Sequence, residues 1–248
     1  PLVLMDSFRT QADTLAALAK HALASTDLPL SFLQHQVPKV LADDLGPACD
    51  RAAAAGDAEL AWCPPGHGDL YPALLTTGTL DALLSRGYRW AFVSNADNLG
   101  ATPDTTALGI LGWMAEGQRP FVMECADRTA ADRKGGHLAK DARDGHLVLR
   151  EVAQCPPEDA AAFQDITRHR YFNTNNLWLD LAAVKNLVTA SGGRLGLPLI
   201  RNKKPLDPTD PASPEVFQLE TAMGAAIALM PGAAAVRVPR SRFVPVKT

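Results

Sequence analysis

The chain has 248 residues, of which 47% are hydrophobic and 21% are charged, and its formal net charge is −3. This composition is ordinary for a globular protein, and the lack of a basic surplus argues against a nucleic-acid partner. No apolar run approaches the roughly 20 residues that span a bilayer and no signal-peptide pattern is visible, so no membrane partner is expected. The four widely spaced cysteines predict separate reduced thiols in a cytoplasmic protein.

Apolar runs with strand character alternate along the chain with segments of helical periodicity. The predicted strands are 1–5, 28–33, 90–94, 120–125, 137–139, 146–152, 176–181, 197–200 and 233–238. The predicted helices are 10–23, capped by Thr10 with Asp13 as its N3 acid, 71–84, 105–115, 181–188 and 218–229. The turn DARDG joins two strands as a hairpin, and 202–214 is a predicted loop. This alternation indicates an α/β fold with a largely parallel sheet, mixed where the hairpin enters.

Polar side chains follow six of the predicted strands at the point where each strand ends. In open α/β sheets, ligands bind beyond the carboxyl ends of the strands, so these six ends predict one rim that holds a phosphate or a sugar. The polar ends are Asp6 with Ser7, Gln34, Asn95 with Asp97, Glu151, Arg201 to Lys204, and the segment PRSRFVPVK at 239–247.

Three loop motifs carry groups that could contact a ligand. PPGHGD at 64–69 combines stiffening prolines with glycines that allow close approach, although a structural turn capped by Asp69 is an alternative. KGGH at 134–137 could wrap a phosphate or sugar with backbone N–H groups, or form a plain β-turn. NTNN at 173–176 offers three amides that suit sugar hydroxyls, or forms an Asx-turn before a strand.

Two charged side chains suggest chemistry at a phosphate. Asp97 could bind Mg²⁺, which takes one or two protein carboxylates together with phosphate oxygens. The alternative is that Asp97 caps the helix predicted to begin at Thr105. Lys247 follows the apolar residues Val244 to Val246, which could hold its ammonium in place, whereas the alternative is an exposed basic loop.

Nine motifs taken together resemble the UDP-glucose pyrophosphorylase (UTP–glucose-1-phosphate uridylyltransferase) family. They follow the family's order over nearly the whole chain: PLVLMDSF, SFLQ, PPGHGDLY, SNADNLGAT, ADRKGGHL, REVAQ, FNTNNLW, FQLETAMGAAI and VPRSRFVPVK. The resemblance implies a nucleotidyltransferase fold, which is Rossmann-like and GT-A-like: three α/β/α layers with a mixed, mostly parallel central sheet. It also implies the reversible formation of UDP-glucose and pyrophosphate from UTP and glucose-1-phosphate, with Mg²⁺.

The resemblance also implies roles for individual residues. The residues that it implies as contacts of the uridine nucleotide are Met5, Gln34, Gly66, His67 and Asn95. Those implied at the glucose and its phosphate are Gly136, Glu151, Asn173, Asn175 and Asn176. Those implied at the reacting phosphates are Lys247, Lys204 and Asp97, with Asp97 also as the metal ligand.

The chain departs from the family pattern in several places. The family's glycine-rich LNGGLGT loop and its C-terminal β-helix domain have no counterpart, so 1–248 is expected to be a truncated nucleotidyltransferase catalytic domain with little or no activity alone. Oligomerisation of the full-length protein is left open. His137 stands where Thr is usual, and Ala96 stands where many relatives carry a larger residue.

Other functions are kept as alternatives to UDP-glucose synthesis. One is a pyrophosphorylase for another sugar-1-phosphate, of galactose or an N-acetylhexosamine. Another is a fragment that binds a nucleotide sugar without chemistry. A nicotinamide-dependent dehydrogenase is disfavoured because its G-x-G-x-x-G fingerprint is absent from the sequence.

Overall fold

The computed structural model describes residues 1–21 and 27–246. The strands are β1 (Leu4–Asp6), β2 (Ser31–Leu33), β3 (Val37–Pro38), β4 (Val40–Leu41), β5 (Trp62–Cys63), β6 (Trp90–Val93), β7 (Phe121–Asp127), β8 (His137–Lys140), β9 (Leu147–Arg150), β10 (Tyr171–Asp180), β11 (Leu199–Pro205), β12 (Glu215–Thr221) and β13 (Ala234–Arg237). The helices are α1 (Gln11–Leu18), α2 (Cys49–Ala54), α3 (Leu70–Thr76), α4 (Thr79–Ser85), α5 (Thr105–Glu116), α6 (Ala160–Phe163) and α7 (Leu181–Ala190). Across this described part of the chain, every helix is too short or too polar to traverse a bilayer.

The chain divides into two compact units. The first unit comprises Pro1–Leu83 and Leu197–Ala222, and the second comprises Leu84–Gly196 and Met223–Thr248. In the first unit β1 and β2 pair in parallel, β3 pairs with β5, and β11, β12 and β4 form an antiparallel sheet. One core cluster of this unit contains small and branched apolar side chains, namely Leu41, Ala48, Ala52, Leu60, Ala61, Leu206 and Val216.

The second unit is built on a six-stranded mixed sheet whose central strand is β10. Strands β6, β7 and β8 all pair antiparallel with β10, and β13 pairs parallel with β7, so these four strands run in one direction. Strands β9 and β10 run the opposite way. Helix α5 packs Ile110 and Met114 against Val122 and Trp178 of the sheet. The predicted mixed α/β class is confirmed, and four of the six strands share one direction.

Strand β10 is longer than the predicted strand 176–181 and contains a bulge. Its register against β7 shifts between Asn173 and Leu177, and Asn175 has a φ of 59°. A β-bulge inserts an unpaired residue and turns side chains away from the regular ladder, and bulges are common beside active sites. NTNN is therefore an irregular part of the strand itself. The Asx-type bond that the sequence suggested as an alternative is present, since the Asn175 N–H donates to Asn173 Oδ1 at 2.9 Å, but it lies within β10 rather than before a strand.

Two predicted helices begin or end differently from expectation. The predicted helix 71–84 is two helices, α3 and α4, which are separated at Gly78 with a φ of 74°. A positive φ favours glycine and ends a helix. Thr10 precedes α1 but its side chain makes no capping hydrogen bond to the helix; instead its hydroxyl accepts from the Ser7 backbone N–H at 3.0 Å. The predicted end of this helix at Leu23 lies outside the described residues.

The helix predicted at 218–229 is present only in its second half, and the loop predicted at 202–214 is shorter because β11 continues to Pro205. Residues 215–221 form β12, which pairs with β11 over seven positions from Leu199↔Thr221 to Pro205↔Glu215. Only Met223–Leu229 is helical, as a 3₁₀-helix. Long-range strand pairing outweighs local helical periodicity here, because burial and pairing decide strand formation more than propensity does.

Candidate functional site

In the first unit, two residues predicted for the nucleotide site lie at adjacent strand ends. Met5 is half-buried in β1 and pairs with Phe32 of β2. Gln34 follows β2 directly, and its backbone N–H donates to the Asp6 carbonyl at 2.9 Å. The carboxyl ends of a parallel pair therefore meet here, which is the arrangement that the sequence predicts for a ligand-facing edge.

The PPGHGD loop packs tightly against the end of β12. The backbone N–H of Thr221 donates to the carbonyl of Pro65 at 2.8 Å. Gly66 has a φ of 83°, and a Cβ at this position would lie 2.6 Å from the Thr221 carbonyl oxygen. A Cβ at Gly68 would lie 2.3 Å from the Thr221 hydroxyl oxygen. Both glycines are therefore required by the protein's own packing, and the ligand contact predicted for Gly66 stays a prediction.

His67 and Asp69 of the same loop have different environments. Burial lowers the pKa of the half-buried His67, so its imidazole is neutral at pH 7 and can donate or accept one hydrogen bond. Asp69 does not cap α3 with its side chain, so the predicted structural cap is wrong. Its carboxylate instead accepts from the His35 backbone N–H at 2.7 Å and lies 2.9 Å from the His35 ring nitrogen Nδ1.

Lys204 lies within a strand of the first unit, whereas the sequence predicts a position after one. It is exposed in β11 and pairs with Val216 of β12. Its neighbour Lys203 forms an ion pair with Glu215 at 2.6 Å. The six polar strand ends are thus distributed over two units, three in each, and the role of Lys204 at the phosphates stays a prediction.

In the second unit, four of the five residues predicted for the sugar lie together. A Cβ on Gly136 would lie 2.4 Å from Glu151 Oε1, so the glycine leaves room for this carboxylate. The Gly136 carbonyl accepts from the Asn173 backbone N–H at 3.2 Å. Asn173 Nδ2 donates to Asn175 Oδ1 at 2.7 Å, and the Asn175 N–H donates back to Asn173 Oδ1 at 2.9 Å. We call Gly136, Glu151, Asn173 and Asn175 the sugar cluster.

The carboxylate of Glu151 is the unusual charge of the sugar cluster. It is half-buried, and burial raises its pKa. Among residues 1–21 and 27–246, it makes no hydrogen bond or ion pair that would offset this desolvation. A half-buried acceptor without a protein partner suits a ligand hydroxyl, because that hydroxyl would supply the missing hydrogen bond.

Asn176 faces away from the sugar cluster, into the protein. Its side chain is fully buried, and Nδ2 donates to Glu124 Oε2 at 2.9 Å and to the Arg242 carbonyl at 3.3 Å. Its Oδ1 accepts from Asn98 Nδ2 at 3.1 Å. All three of these partners are protein groups, so its predicted contact with glucose gains no support from the geometry and stays a prediction.

The loop Asn95–Gly100 follows β6 and is bonded to the segment Arg242–Val246, which follows β13. Asn98 Nδ2 donates to the Arg242 carbonyl at 3.0 Å, and Asn98 Oδ1 accepts from the Val244 N–H at 2.8 Å. The Val246 N–H donates to the Asp97 carbonyl at 2.8 Å. A Cβ on Gly100 would lie 2.4 Å from the Ser241 carbonyl oxygen. The contact is therefore close along its whole length.

Asn95 and Asp97 are half-buried in this loop. The alternative role of Asp97 as a helix cap is wrong, because Asp104 caps α5 by accepting from the Thr106 N–H at 2.9 Å. Lys247 follows Val246 in the sequence and lies outside the described residues, so its catalytic role stays a prediction.

Sequence reasoning missed the buried ion pair between Glu124 and Arg242. Arg242 Nε and Nη2 donate to the two Glu124 carboxylate oxygens at 2.9 Å and 2.7 Å. Glu124 is fully buried and Arg242 is 5% exposed, so Arg242 is not part of an exposed basic loop. The sequence does contain one indication of this pair, which is the single acid within the apolar run FVMECA. An acid in a buried strand requires a partner, so a buried cation could have been expected.

One group of potential metal ligands lies in the β8–β9 hairpin turn. Within the described ranges, Asp141, Asp144 and His146 are the only three such side chains whose ligand atoms lie within 4.8 Å of one another. Arg143 already forms a two-point ion pair with Asp141, at 3.0 Å and 2.7 Å. This cluster, in which Asp144 is exposed and Asp141 is half-buried, is distinct from Asp97, and its geometry is explained by the turn.

Comparison with known proteins gives one consistent result. The family model for UTP–glucose-1-phosphate uridylyltransferase matches residues 1–248. The uridylyltransferase of Solanum tuberosum is 42% identical to the chain, and that of Saccharomyces cerevisiae is 46% identical. Both matches cover the full chain, but they cover only 48% and 47%, respectively, of the two relatives' own lengths. A solved structure of a UDP-glucose pyrophosphorylase mutant from Leishmania major in complex with UDP-glucose is 46% identical in sequence and has a TM-score of 0.87. That match covers the full chain and 53% of the Leishmania protein.

A solved UDP-glucose phosphorylase from Trypanosoma brucei has a TM-score of 0.90 at 46% identity, and the match covers the full chain and 52% of that protein. The chain thus spans about half the length of the relatives it matches. The predicted nucleotidyltransferase-type fold is confirmed by these structures. Since the family model matches every residue, the chain belongs to the UTP–glucose-1-phosphate uridylyltransferase family.

Proposed function

We propose that the full-length protein containing this chain forms UDP-glucose and pyrophosphate from UTP and glucose-1-phosphate, reversibly. The observation that carries the proposal is the match of the whole chain to this family, whose solved relative from Leishmania major binds UDP-glucose. The other half of the relatives' length falls outside the match. We expect that part of the full-length protein to supply the family's glycine-rich loop and β-helix domain.

The sugar cluster would recognise glucose through its hydroxyl groups. Asn173 and Asn175 bond to one another and retain further amide donors and acceptors, because each amide has two of each. The Glu151 carboxylate would accept from a hydroxyl, as its half-burial without a protein partner favours. Gly136 would contribute close backbone approach beside that carboxylate.

The first unit would bind the uridine nucleotide. Met5 and Gln34 lie at the ends of β1 and β2, where a base or ribose can approach the strand ends. The loop of Gly66 and His67 is fixed against β12, and a neutral His67 would donate to or accept from a polar atom of the nucleotide. This fixed loop supports a preorganised site, which lowers the cost of ordering on binding.

At the phosphates, an oxygen of glucose-1-phosphate would attack the α-phosphorus of UTP while the bond to pyrophosphate breaks. Such a transfer needs positioning and charge neutralisation more than covalent help. Asn95 and Asp97 would face the phosphates, and Lys247 and Lys204 would supply positive charge. The half-buried Asp97 carboxylate fits Mg²⁺ as a single protein ligand, and bound Mg²⁺ would neutralise phosphate charge.

The test is turnover of the full-length protein with UTP and each of three sugar-1-phosphates at equal concentration: glucose, galactose and N-acetylglucosamine. The proposal predicts pyrophosphate release with the highest kcat/KM for glucose-1-phosphate. Equal or better use of another sugar would favour a pyrophosphorylase for that sugar. Binding of UDP-glucose without turnover of any of the three would favour a non-catalytic nucleotide-sugar-binding protein.

A further inference from the structure

The Glu124–Arg242 ion pair anchors the segment that braces the Asn95–Gly100 loop. The Arg242 guanidinium forms a fork on Glu124 of β7, and its Nη1 donates to the Thr102 carbonyl. The Arg242 backbone carbonyl accepts from both Asn98 and Asn176. One buried residue therefore ties the segment after β13 to the sheet and to the loop.

Glu124 is satisfied on all sides by protein donors. Its two oxygens accept from Arg242, from Asn176 Nδ2 at 2.9 Å and from Trp178 Nε1 at 2.9 Å. A buried charge pair of this kind contributes little net stability compared with apolar residues, because desolvation offsets the attraction. The main consequence of the pair is therefore the fixed position of the segment after β13, rather than added stability.

That geometry reaches the residues proposed to act at the phosphates. Beyond Arg242, the Val244 N–H donates to the Asn98 side-chain oxygen Oδ1. The Leu99 N–H donates to the Val244 carbonyl at 3.1 Å and the Val246 N–H donates to the Asp97 carbonyl, so these two bonds hold the backbone of the loop that carries Asp97. Arg242 itself is 5% exposed, and its Nη1 also lies 3.5 Å from Asp104 Oδ2, so its guanidinium contacts groups of the protein rather than bulk solvent.

We propose that Arg242 and Glu124 are positioning residues for the phosphate end of the site, fixing the loop of Asn95 and Asp97 against the segment Arg242–Val246. The inference rests on the proposed uridylyltransferase function. Misplacing a reacting group by about 1 Å can lower a rate by roughly a hundredfold, so a weakened anchor should lower kcat rather than substrate binding.

The variant for the test is Arg242→Lys in the full-length protein, because lysine keeps the charge but cannot form the two-point fork. The matched control is Arg237→Lys, since Arg237 forms an exposed ion pair with Asp127 ahead of the same segment. We expect Arg242→Lys to lower kcat at least about tenfold, with KM values changed less than about threefold. Hydrogen exchange of the 97–100 amides and of the Phe243, Val244 and Val246 amides should accelerate, while β7 and β10 remain protected.

The outcomes separate this inference from the proposed function. If the wild type is active and the Arg242→Lys variant keeps its kcat, or keeps slow hydrogen exchange at 97–100 and 243–246, the inference is overturned while the proposed function stands. An inactive wild type would refute the proposed function and the inference with it. If Arg242→Lys does not fold, Asn98→Asp decides, because it keeps the bonds that Asn98 Oδ1 accepts and removes those to Arg242 and Asn176. The Asn98→Asp variant should show the same loss of kcat and the same faster hydrogen exchange. A wild-type kcat or wild-type exchange rates in this variant would overturn the inference.

Discussion

At the scale of single residues, Glu151 combines a stability cost with a predicted binding role. Burial raises its pKa above that of the unfolded chain, so its stabilising contribution is complete at low pH and is lost as pH rises through the native pKa. We expect Glu151→Gln to raise Tm at pH 7 more than at pH 4. The same change should lower kcat/KM for glucose-1-phosphate roughly tenfold or more, as expected for a lost charged hydrogen bond.

The control for this prediction is Glu158→Gln, which removes an exposed acid near Glu151 in the sequence. It should change neither Tm nor activity noticeably. A Glu151→Gln protein that is no more stable at pH 7 and equally active would show that the carboxylate is neither strained by burial nor used for the sugar.

His137 is a second residue with a measurable pH signature. It is fully buried, stacks on His169 with ring centroids 4.1 Å apart, and has its pKa lowered to about 3 by burial and by neighbouring positive groups. The unfolded chain takes up a proton below about pH 6.5, so wild-type stability should fall by up to about 2 kcal/mol between pH 6.5 and pH 5. His137→Thr, which introduces the residue that the family resemblance implies at this position, should flatten this fall.

Urea denaturation of both proteins at pH 7 and pH 5 measures this difference. The sign is fixed by the lowered pKa: the contribution is complete above pH 6.5 and is lost on acidification towards pH 3. His169 also has a lowered pKa and remains in both proteins, so part of the fall in stability on acidification should persist in the variant. Identical pH dependence in the variant would exclude His137 as the source.

At the scale of elements, the bulge in β10 shows why a motif can be recognised while its structure is missed. NTNN was predicted to contact a sugar, and the structure places two of its amides in the sugar cluster. The local sequence does not show that the strand continues through the motif, because the continuation depends on pairing with β7 and β8, which are distant in sequence. Long-range pairing with β11 likewise places 218–221, the start of the helix predicted at 218–229, in β12.

The bulge yields a prediction about stability. Asn175 has a φ of 59°, where glycine and asparagine are tolerated and β-branched residues are strained. Asn175→Val should lower the free energy of unfolding by about 1–2 kcal/mol. Asn175→Gly is the matched control, since it removes the side chain without backbone strain. Equal free energies of unfolding for the two variants would contradict the strained conformation.

At the scale of the whole molecule, the ordered series of motifs predicted the family, and the sequence alone predicted most strands of the second unit. The division of the six polar strand ends between two units could not be predicted, because the chain returns from 197 to 222 to complete the first unit. The Glu124–Arg242 pair was equally hidden, since 118 positions separate its members. Contacts of this kind depend on the folded arrangement rather than on any local pattern.

The most direct test of the account is calorimetric titration of UDP-glucose into the full-length wild type, Gly136→Ala and Gly135→Ala. A Cβ at Gly136 would meet Glu151 Oε1 at 2.4 Å, whereas one at Gly135 would lie 3.3 Å from its nearest neighbour, the Asp132 carbonyl oxygen. The account predicts that Gly136→Ala weakens binding at least about tenfold, a loss of about 1.4 kcal/mol, while Gly135→Ala binds like the wild type. Equal affinity of all three proteins would contradict the assignment of the sugar cluster to glucose.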